Sequence, residues 1–391
     1  MITKNINYEN FKIKINKKKQ NILKKKLKFK SLLLEYPFLK SLTSDYKYSY
    51  KKNILKNLKK YSKFNLIGMG GSILGAESIY DFLSHKIKKK FSFFNNLQNY
   101  STKHSLHETC NIIISKSGNT LETFSNLNFI LSKQRKKNKN LIITEDKISI
   151  LTSIANKIKS EVIEHKNYIG GRYSVLSEVG MLPAELMGLN EKKFKRFNQL
   201  IKDKRFINKL IVNVLSIENY IKKGKKNSVI LNFDEKSDNL FKWYQQLIGE
   251  SLGKNGKGFF PIVSTMPKDN HSLLQLYLDG PKNNFFTFFI VKDKNSFTFN
   301  NSYLVNEIKY LKGKKINEVI YAQKYATQKV FKEKEIPFRS FEITNRNEET
   351  LGELFTFFIL ETLMLSSLLK VNPTNQPSVE SIKIETQKIL K

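Results

Sequence analysis

The chain carries one cysteine, Cys110, in 391 residues. A lone thiol excludes an intramolecular disulfide framework and suits a reducing compartment such as the cytoplasm. Histidine is scarce too, with only His85, His104, His107, His165 and His271. His104 and His107 stand three apart, but no third or fourth ligand lies near them, so they read as a surface pair and no metal centre is expected. The longest apolar run, Leu354–Leu369, is interrupted by Glu361 and falls short of the ~20 residues of a membrane span. It reads as a buried helix, and no membrane segment is expected. The N-terminus is rich in Lys and Asn without a compact apolar stretch, unlike a secretory signal.

Acidic residues are the largest shortage: 34 Asp and Glu face 69 Lys and Arg, for a net charge of +35. That balance raises nucleic-acid binding as a class. The lysines are nevertheless scattered along the whole chain, with short runs only at Lys17–Lys19, Lys24–Lys26 and Lys88–Lys90. No nucleic-acid partner is therefore expected. A basic surface of this kind would steer small anionic metabolites toward the protein.

What is present is a strand–helix rhythm. The first 60 residues alternate Lys with Leu, Phe and Tyr, and suggest basic amphipathic helices. Phe64–Ile67 reads as a strand that runs into Gly68-Met69-Gly70-Gly71-Ser72, with a helix from Ile73. A second strand around Ile112–Ile114 runs into Ser115-Lys116-Ser117-Gly118-Asn119-Thr120, with a helix to about Leu131, and Leu141–Thr144 is another short strand. Glu178–Leu189 looks helical, with Pro183 expected at its start or at a kink. A second unit follows: a strand at Ser228–Phe233, a helix from about Ser237 to Leu252, and strands at Phe285–Val291 and Phe338–Ile343. Asn345–Glu349 cap the long helix that includes Leu354–Leu369. Pro373 and Pro377 turn the tail, and a short helix is expected from Ser378. Alternating strands and helices predict an α/β fold with parallel sheets, and ligands of such sheets bind at strand ends. No sequence-level repeat stands out.

The Ser115–Thr120 loop is the most informative segment. Free backbone N–H groups and the partial positive charge of a helix start make such a turn a seat for an anion, and hydroxyls add donors. It lacks the glycine spacing of a Walker loop, which points to a phosphorylated small molecule. An ordinary capped turn would look similar. Gly70-Gly71-Ser72 admits close approach of a ligand to the backbone, or is a plain turn. Arg172, beside Gly170 and Gly171, can stabilise a developing oxyanion, or be a surface arginine. Gln246 and Glu250 share one helix face, and a carboxylate at a helix C-terminus sits against the dipole. Glu250 is thus a candidate general base, or a solvated acid. His271, at an expected helix start, suits proton transfer or capping.

Taken together and in order, these segments resemble the phosphoglucose isomerase family. The resemblance is carried by Gly68–Ser72, Ser115–Thr123, Gly170–Val175, Gln246–Lys254, Asn270–Gln275 and Asn375–Lys383. It implies two SIS-type doubly wound α/β domains with mainly parallel sheets and helical additions at both ends. The corresponding division is a basic helical extension over 1–60, domains over 61–190 and 191–345, and closing helices over 346–391. It also implies reversible aldose–ketose exchange between glucose 6-phosphate and fructose 6-phosphate, no cofactor, and an active site at a homodimer interface. By this resemblance Ser115, Ser117 and Thr120 hold the phosphate, with Lys116, Gly118 and Asn119 in the same loop. Gly71 and Ser72 line the sugar, and Gln246 contacts it near Glu250. Glu250 is the base, Arg172 the oxyanion stabiliser, and His271 the ring-opening group given by the other subunit. Lys383 is its partner, with Lys388 and Lys391 as neighbouring alternatives. Met69 and Ser378 depart from the family's more usual isoleucine and glycine. A sugar-phosphate sensor without catalysis, or an isomerase of another aldose phosphate, would share the loop and the glycine turns.

Overall fold

Six nearly continuous apolar segments form the interiors of two sheets. Buried on both faces, such strands do not alternate polar and apolar residues. The computed structural model describes residues 3–13, 17–97, 108–133, 138–293 and 296–391, so that His104 and His107 lie outside the described residues. The chain opens with β1 (Ile6–Glu9), α1 (Lys17–Lys26), α2 (Phe29–Glu35) and α3 (Lys52–Leu58). The first unit comprises β2 (Lys63–Gly68), α4 (Leu74–Phe82), β3 (Lys90–Phe94), β4 (Thr109–Ile114), α5 (Leu121–Lys133), β5 (Lys139–Thr144), α6 (Ile150–Lys157) and β6 (Glu161–Glu164). Helices α7 (Glu178–Leu186), α8 (Phe197–Leu200) and α9 (Lys204–Lys222) connect it to the second. That unit comprises β7 (Asn227–Asn232), α10 (Asp238–Leu252), β8 (Phe260–Thr265), α11 (Leu274–Asp279), β9 (Asn284–Val291), α12 (Ile316–Glu333) and β10 (Phe338–Ile343). Helices α13 (Glu348–Leu369) and α14 (Glu380–Leu390) follow.

The first sheet has the order β3-β2-β4-β5-β6 and is parallel throughout. The second has the order β1-β10-β9-β7-β8 and is parallel except for β1. Each parallel run turns back at its founding strand, so each sheet has a switch point beside that strand, at β2/β4 and at β7/β9. The first 60 residues, expected to be helical, also supply an edge strand: β1 pairs antiparallel with β10, Ile6 opposite Ile343. A helical spacing of apolar residues carries no signal for a four-residue strand whose partner lies more than 330 residues away. Pro183 sits inside α7 rather than at its start.

Helix α13 is longer than the apolar run that signals it. Its 22 residues are long and apolar enough, by length and composition, to cross a membrane. Every residue from Thr350 to Ser366 is instead buried, against α9, α10 and the turn Glu191–Phe194. A helix apolar all round needs neighbours on every side. Of the charges inside it, Glu361 pairs with Arg339 of β10 and accepts from Tyr244 of α10 at 2.9 Å. Both charged side chains are fully buried. The pair therefore ties α13 to α10 and β10 in the middle of the molecule.

Candidate active site

Two loops leave the ends of β2 and β4 at the first sheet's switch point. In the Ser115–Thr120 loop, Ser115 is buried and its Oγ lies 3.0 Å from Thr120 Oγ1. Ser117 and Asn119 are exposed, and Asn119 N–H donates to Ser117 Oγ at 3.2 Å. Among the described residues, the Ser117 and Thr120 amides have no acceptor. That is the arrangement an anion would complete. The loop is stitched to the start of α6: Gly118 O accepts from Leu151 N–H at 3.0 Å and Asn119 Oδ1 from Ile150 N–H at 3.1 Å. Asn119, expected to meet the substrate, thus spends its side-chain oxygen on this helix start. Gly118 has φ +66, and a Cβ there would lie 2.3 Å from Ser149 Oγ. Lys116 Nζ donates to Asn167 O at 2.8 Å and stands 3.6 Å from Glu145. Burial pushes its pKa down, with Glu145 opposing that shift.

The Gly68–Ser72 loop brings in the second group of residues. A Cβ on Gly71 would sit 2.1 Å from the carbonyl carbon of Gly171. Two glycine turns from distant parts of the chain are thus pressed backbone to backbone, and Ser174 Oγ seals the contact by donating to Gly71 O at 3.1 Å. Arg172, buried in the turn Gly171–Leu176, is thereby aimed at the last turn of α10. Its Nη1 donates to Glu250 Oε2 at 2.8 Å, and Gln246 Nε2 donates to Glu250 Oε1 at 3.0 Å. The charge that the dipole disfavours at this helix end is therefore offset by an arginine. Glu250 is half-buried, and Gln246 Oε1 is buried without a hydrogen-bond partner.

Arg172 has no idle donor. Nε donates to Ser251 Oγ at 2.9 Å, Nη2 to Pro373 O at 2.6 Å and to Asn375 O at 3.1 Å, and Nη1 also to Gln376 Oε1. The segment after α13 thus wraps the guanidinium in carbonyl oxygens. Lys254 holds the same segment by donating to Asn372 O. Its pKa is brought down to about 8 by burial and then by Arg172, against the pull of Glu250. Ser251, Tyr173, Lys254 and the Pro373–Gln376 strap are not conspicuous in the sequence, although Tyr173, Ser251, Lys254, Asn375 and Gln376 lie inside its motifs.

The structure brings Gly71, Arg172, Gln246 and Glu250 together, but not His271 or Lys383. His271 ends the 3-10 turn Lys268–His271, ahead of α11 rather than at its start, and is exposed. Its side chain makes no hydrogen bond among the described residues, while Asp269 anchors its turn by accepting from Ser264 Oγ at 2.7 Å and Thr265 N–H at 2.9 Å. Lys383 is exposed on α14 and donates to Glu380 at 3.1 Å. Among the described residues, no group of three or more His, Cys, Asp or Glu side chains is placed to hold a metal.

The chain matches the family model described as phosphoglucose isomerase over residues 43–263. The glucose-6-phosphate isomerase of Methanocaldococcus jannaschii is 33% identical over 358 residues, 84% of this chain and 86% of that protein. A hypothetical protein from Thermus thermophilus has a solved structure with TM-score 0.80 at 21% identity, covering 96% of this chain and 94% of its own. A glucose-6-phosphate isomerase from Chlamydia trachomatis has TM-score 0.74 at 16% identity, covering 99% and 89%. At those identities the two structures speak to the fold. The family model, which spans more than half of the chain, and the archaeal relative, one-third identical along most of it, establish that this protein belongs to the phosphoglucose isomerase family.

Proposed function

We propose that the protein interconverts glucose 6-phosphate and fructose 6-phosphate, with Glu250 as the proton-transfer base. The observation that carries this is the Glu250 carboxylate, fixed between Arg172 and Gln246 at the edge of two facing glycine turns. The phosphate sits on the Ser115–Thr120 loop, where the Ser117 and Thr120 amides, without an acceptor among the described residues, meet the start of α5. Grip at that end orients the reacting end.

In the open-chain aldose, Glu250 takes the proton from C2. The electron pair moves to the carbonyl oxygen on C1 and leaves an enediolate. Arg172 offsets that charge. Every N–H of Arg172 is already engaged, so the oxyanion replaces an acceptor. Gln376, the only side-chain amide among them, is the group that gives way. The C2 hydroxyl proton passes to the oxygen on C1, Glu250 returns its proton to C1, and C2 becomes the ketone. His271 and Lys383 open the sugar ring, His271 from a second copy of the chain. The exposure of His271 supports that reading, as does the bare α14, on which Ile382, Ile389 and Leu390 face solvent. The single buried thiol, Cys110, is in keeping with a cytoplasmic site of action.

Purified protein should convert fructose 6-phosphate to glucose 6-phosphate in a coupled assay. Glu250→Gln should slow exchange of the C2 proton with solvent by about 10²–10⁴-fold, with sugar-phosphate binding retained. Binding without conversion by the wild type would make it a sensor, and near-wild-type exchange by the variant would remove Glu250 as base.

A further inference from the structure

Arg172 is held from behind by two side chains that the proposed mechanism does not use. Tyr173 has a single hydroxyl proton and donates it to Pro373 O at 2.9 Å. The Ser251 hydroxyl, 2.9 Å from Tyr173 Oη, must therefore be the donor in that pair. Ser251 Oγ in turn accepts from Arg172 Nε at 2.9 Å, and Arg172 Nη2 donates to the same Pro373 O at 2.6 Å. The four groups form a closed hydrogen-bond circuit: Arg172 to Ser251, Ser251 to Tyr173, and Tyr173 and Arg172 to Pro373. It lies in the core, with Arg172, Tyr173 and Ser251 each no more than 2% exposed. Phe38 stacks on the Tyr173 ring at 4.0 Å between centroids, which fixes that ring's plane.

The geometry points to Ser251 and Tyr173 as positioning residues for the Arg172 guanidinium. Both are too deeply buried to touch a sugar phosphate. Their effect is directional. Nε and Nη2 face the circuit, which leaves Nη1 as the corner of the fork turned toward Glu250. An arginine side chain has four rotatable bonds and would otherwise sample many orientations. A guanidinium locked along one edge presents its remaining edge without reorganisation as charge develops. Ser251 also adjoins Glu250 on α10, so one helix turn sets both the base and its electrostatic partner. This inference rests on the reading of Arg172 as the group facing the enediolate.

The test uses the full-length protein with Ser251→Ala and Tyr173→Phe, each alone and in an Arg172→Lys background. Lysine has no Nε and cannot join the circuit. Two quantities are read: kcat and KM for fructose 6-phosphate, and the Kd of arabinonate 5-phosphate, whose carboxylate copies the enediolate oxygens. Each single variant should lower kcat about 10- to 100-fold, the scale of a misplaced catalytic group. KM should stay within about threefold, because the phosphate loop is untouched, and the aldonate should bind correspondingly weaker. In the Arg172→Lys background neither variant should add more than about twofold. Wild-type kcat and aldonate affinity in both variants would overturn the inference, and so would the same fold-loss in the lysine background. Should Ser251→Ala fail to fold, Tyr173→Phe carries both comparisons. A wild type that binds the aldonate but does not convert fructose 6-phosphate would overturn the isomerase reading and leave the circuit to be judged on aldonate affinity.

Discussion

His165 shows how a single residue near the phosphate loop constrains the pH range of the fold. It is 2% exposed, at the end of β6, with Nδ1 3.2 Å from Lys166 O. Burial brings its pKa down from 6.5 to about 4; Lys116 pushes the same way and Glu145 opposes it. The unfolded chain therefore takes up a proton near pH 6.5 that the folded chain refuses until about pH 4. Stability contributed by the neutral imidazole is present above pH 6.5 and is lost as pH falls toward 4. At roughly 1.4 kcal/mol per pH unit, the window is worth about 3 kcal/mol. Denaturant titrations between pH 7 and pH 4 should show that loss in the wild type and a shallower slope in His165→Gln; parallel slopes would refute it. Visibility in the sequence runs the other way. Arg172 after two glycines and Glu250 against its helix dipole are unusual in their neighbourhoods, so the sequence singles both out, and the fold sets them 2.8 Å apart. His165 and Ser251 carry no mark of their own in the sequence, and their roles come from burial and from partners far away in the chain. The Pro373–Gln376 strap reaches Arg172 across about 200 residues, a distance over which no local pattern carries information.

At the scale of elements, the strands that the sequence displays are the six interior ones, β2, β4, β5, β7, β9 and β10. The four that it hides, β1, β3, β6 and β8, are the four sheet edges. The reason is physical. An interior strand is covered on both faces and reads as an apolar run, whereas an edge strand is short, mixed and partly wet. β6 buries one residue of four, and Phe260 at the start of β8 is 71% exposed. The interior strands also carry a feature that propensity argues against. Asn65, Asn111 and Asn140 lie side by side on β2, β4 and β5. Asn65 Nδ2 donates to Asn111 Oδ1, and Asn111 Nδ2 to Asn140 Oδ1, each at 2.8 Å. Asparagine is depleted in strands, and a buried amide without a partner is costly, so a one-residue slip of any of these strands would strand the others. The ladder thus pins the register that brings the β2 and β4 loops level at the switch point. Asn111→Ala removes the middle rung and leaves two buried amides short of a bond, at about 1–3 kcal/mol each, or about 2–6 kcal/mol in all. Chemical denaturation should show that loss. The triple replacement of Asn65, Asn111 and Asn140 by leucine should recover most of it, since no amide is then left unpaired. A triple variant as unstable as the single one would mean that the ladder does not act through its hydrogen bonds.

The whole molecule repeats one sheet plan but opens it to a ligand only once. At the first switch point, the β4 loop leaves the Ser117 and Thr120 amides without an acceptor among the described residues. At the corresponding point of the second sheet, Arg346, which follows β10, fills the space. It donates to Asp234 after β7 at 2.7 Å and to Asp293 after β9 at 3.0 Å. A guanidinium with two carboxylates closes the place where the first sheet offers an anion seat. In the proposed reading one sheet is thus a binding half and the other a supporting half that delivers Glu250 through α10. Around both lies a chain of net charge +35, built from lysines on nearly every exposed element. The α5 start is local and partly shielded, but the field of the whole surface extends outward until salt screens it, over ~10 Å at 0.1 M and ~3 Å at 1 M. A dianionic sugar phosphate approaching such a surface is collected by that field, which acts on encounter and not on the proton transfer. Raising salt from roughly 20 mM to roughly 500 mM should therefore lower kcat/KM for fructose 6-phosphate several-fold, on the 10–10³ scale of steered association, while kcat holds. A kcat/KM that is flat with salt would mean that the phosphate is captured by the loop alone, and that the charge of this chain serves nothing in its chemistry.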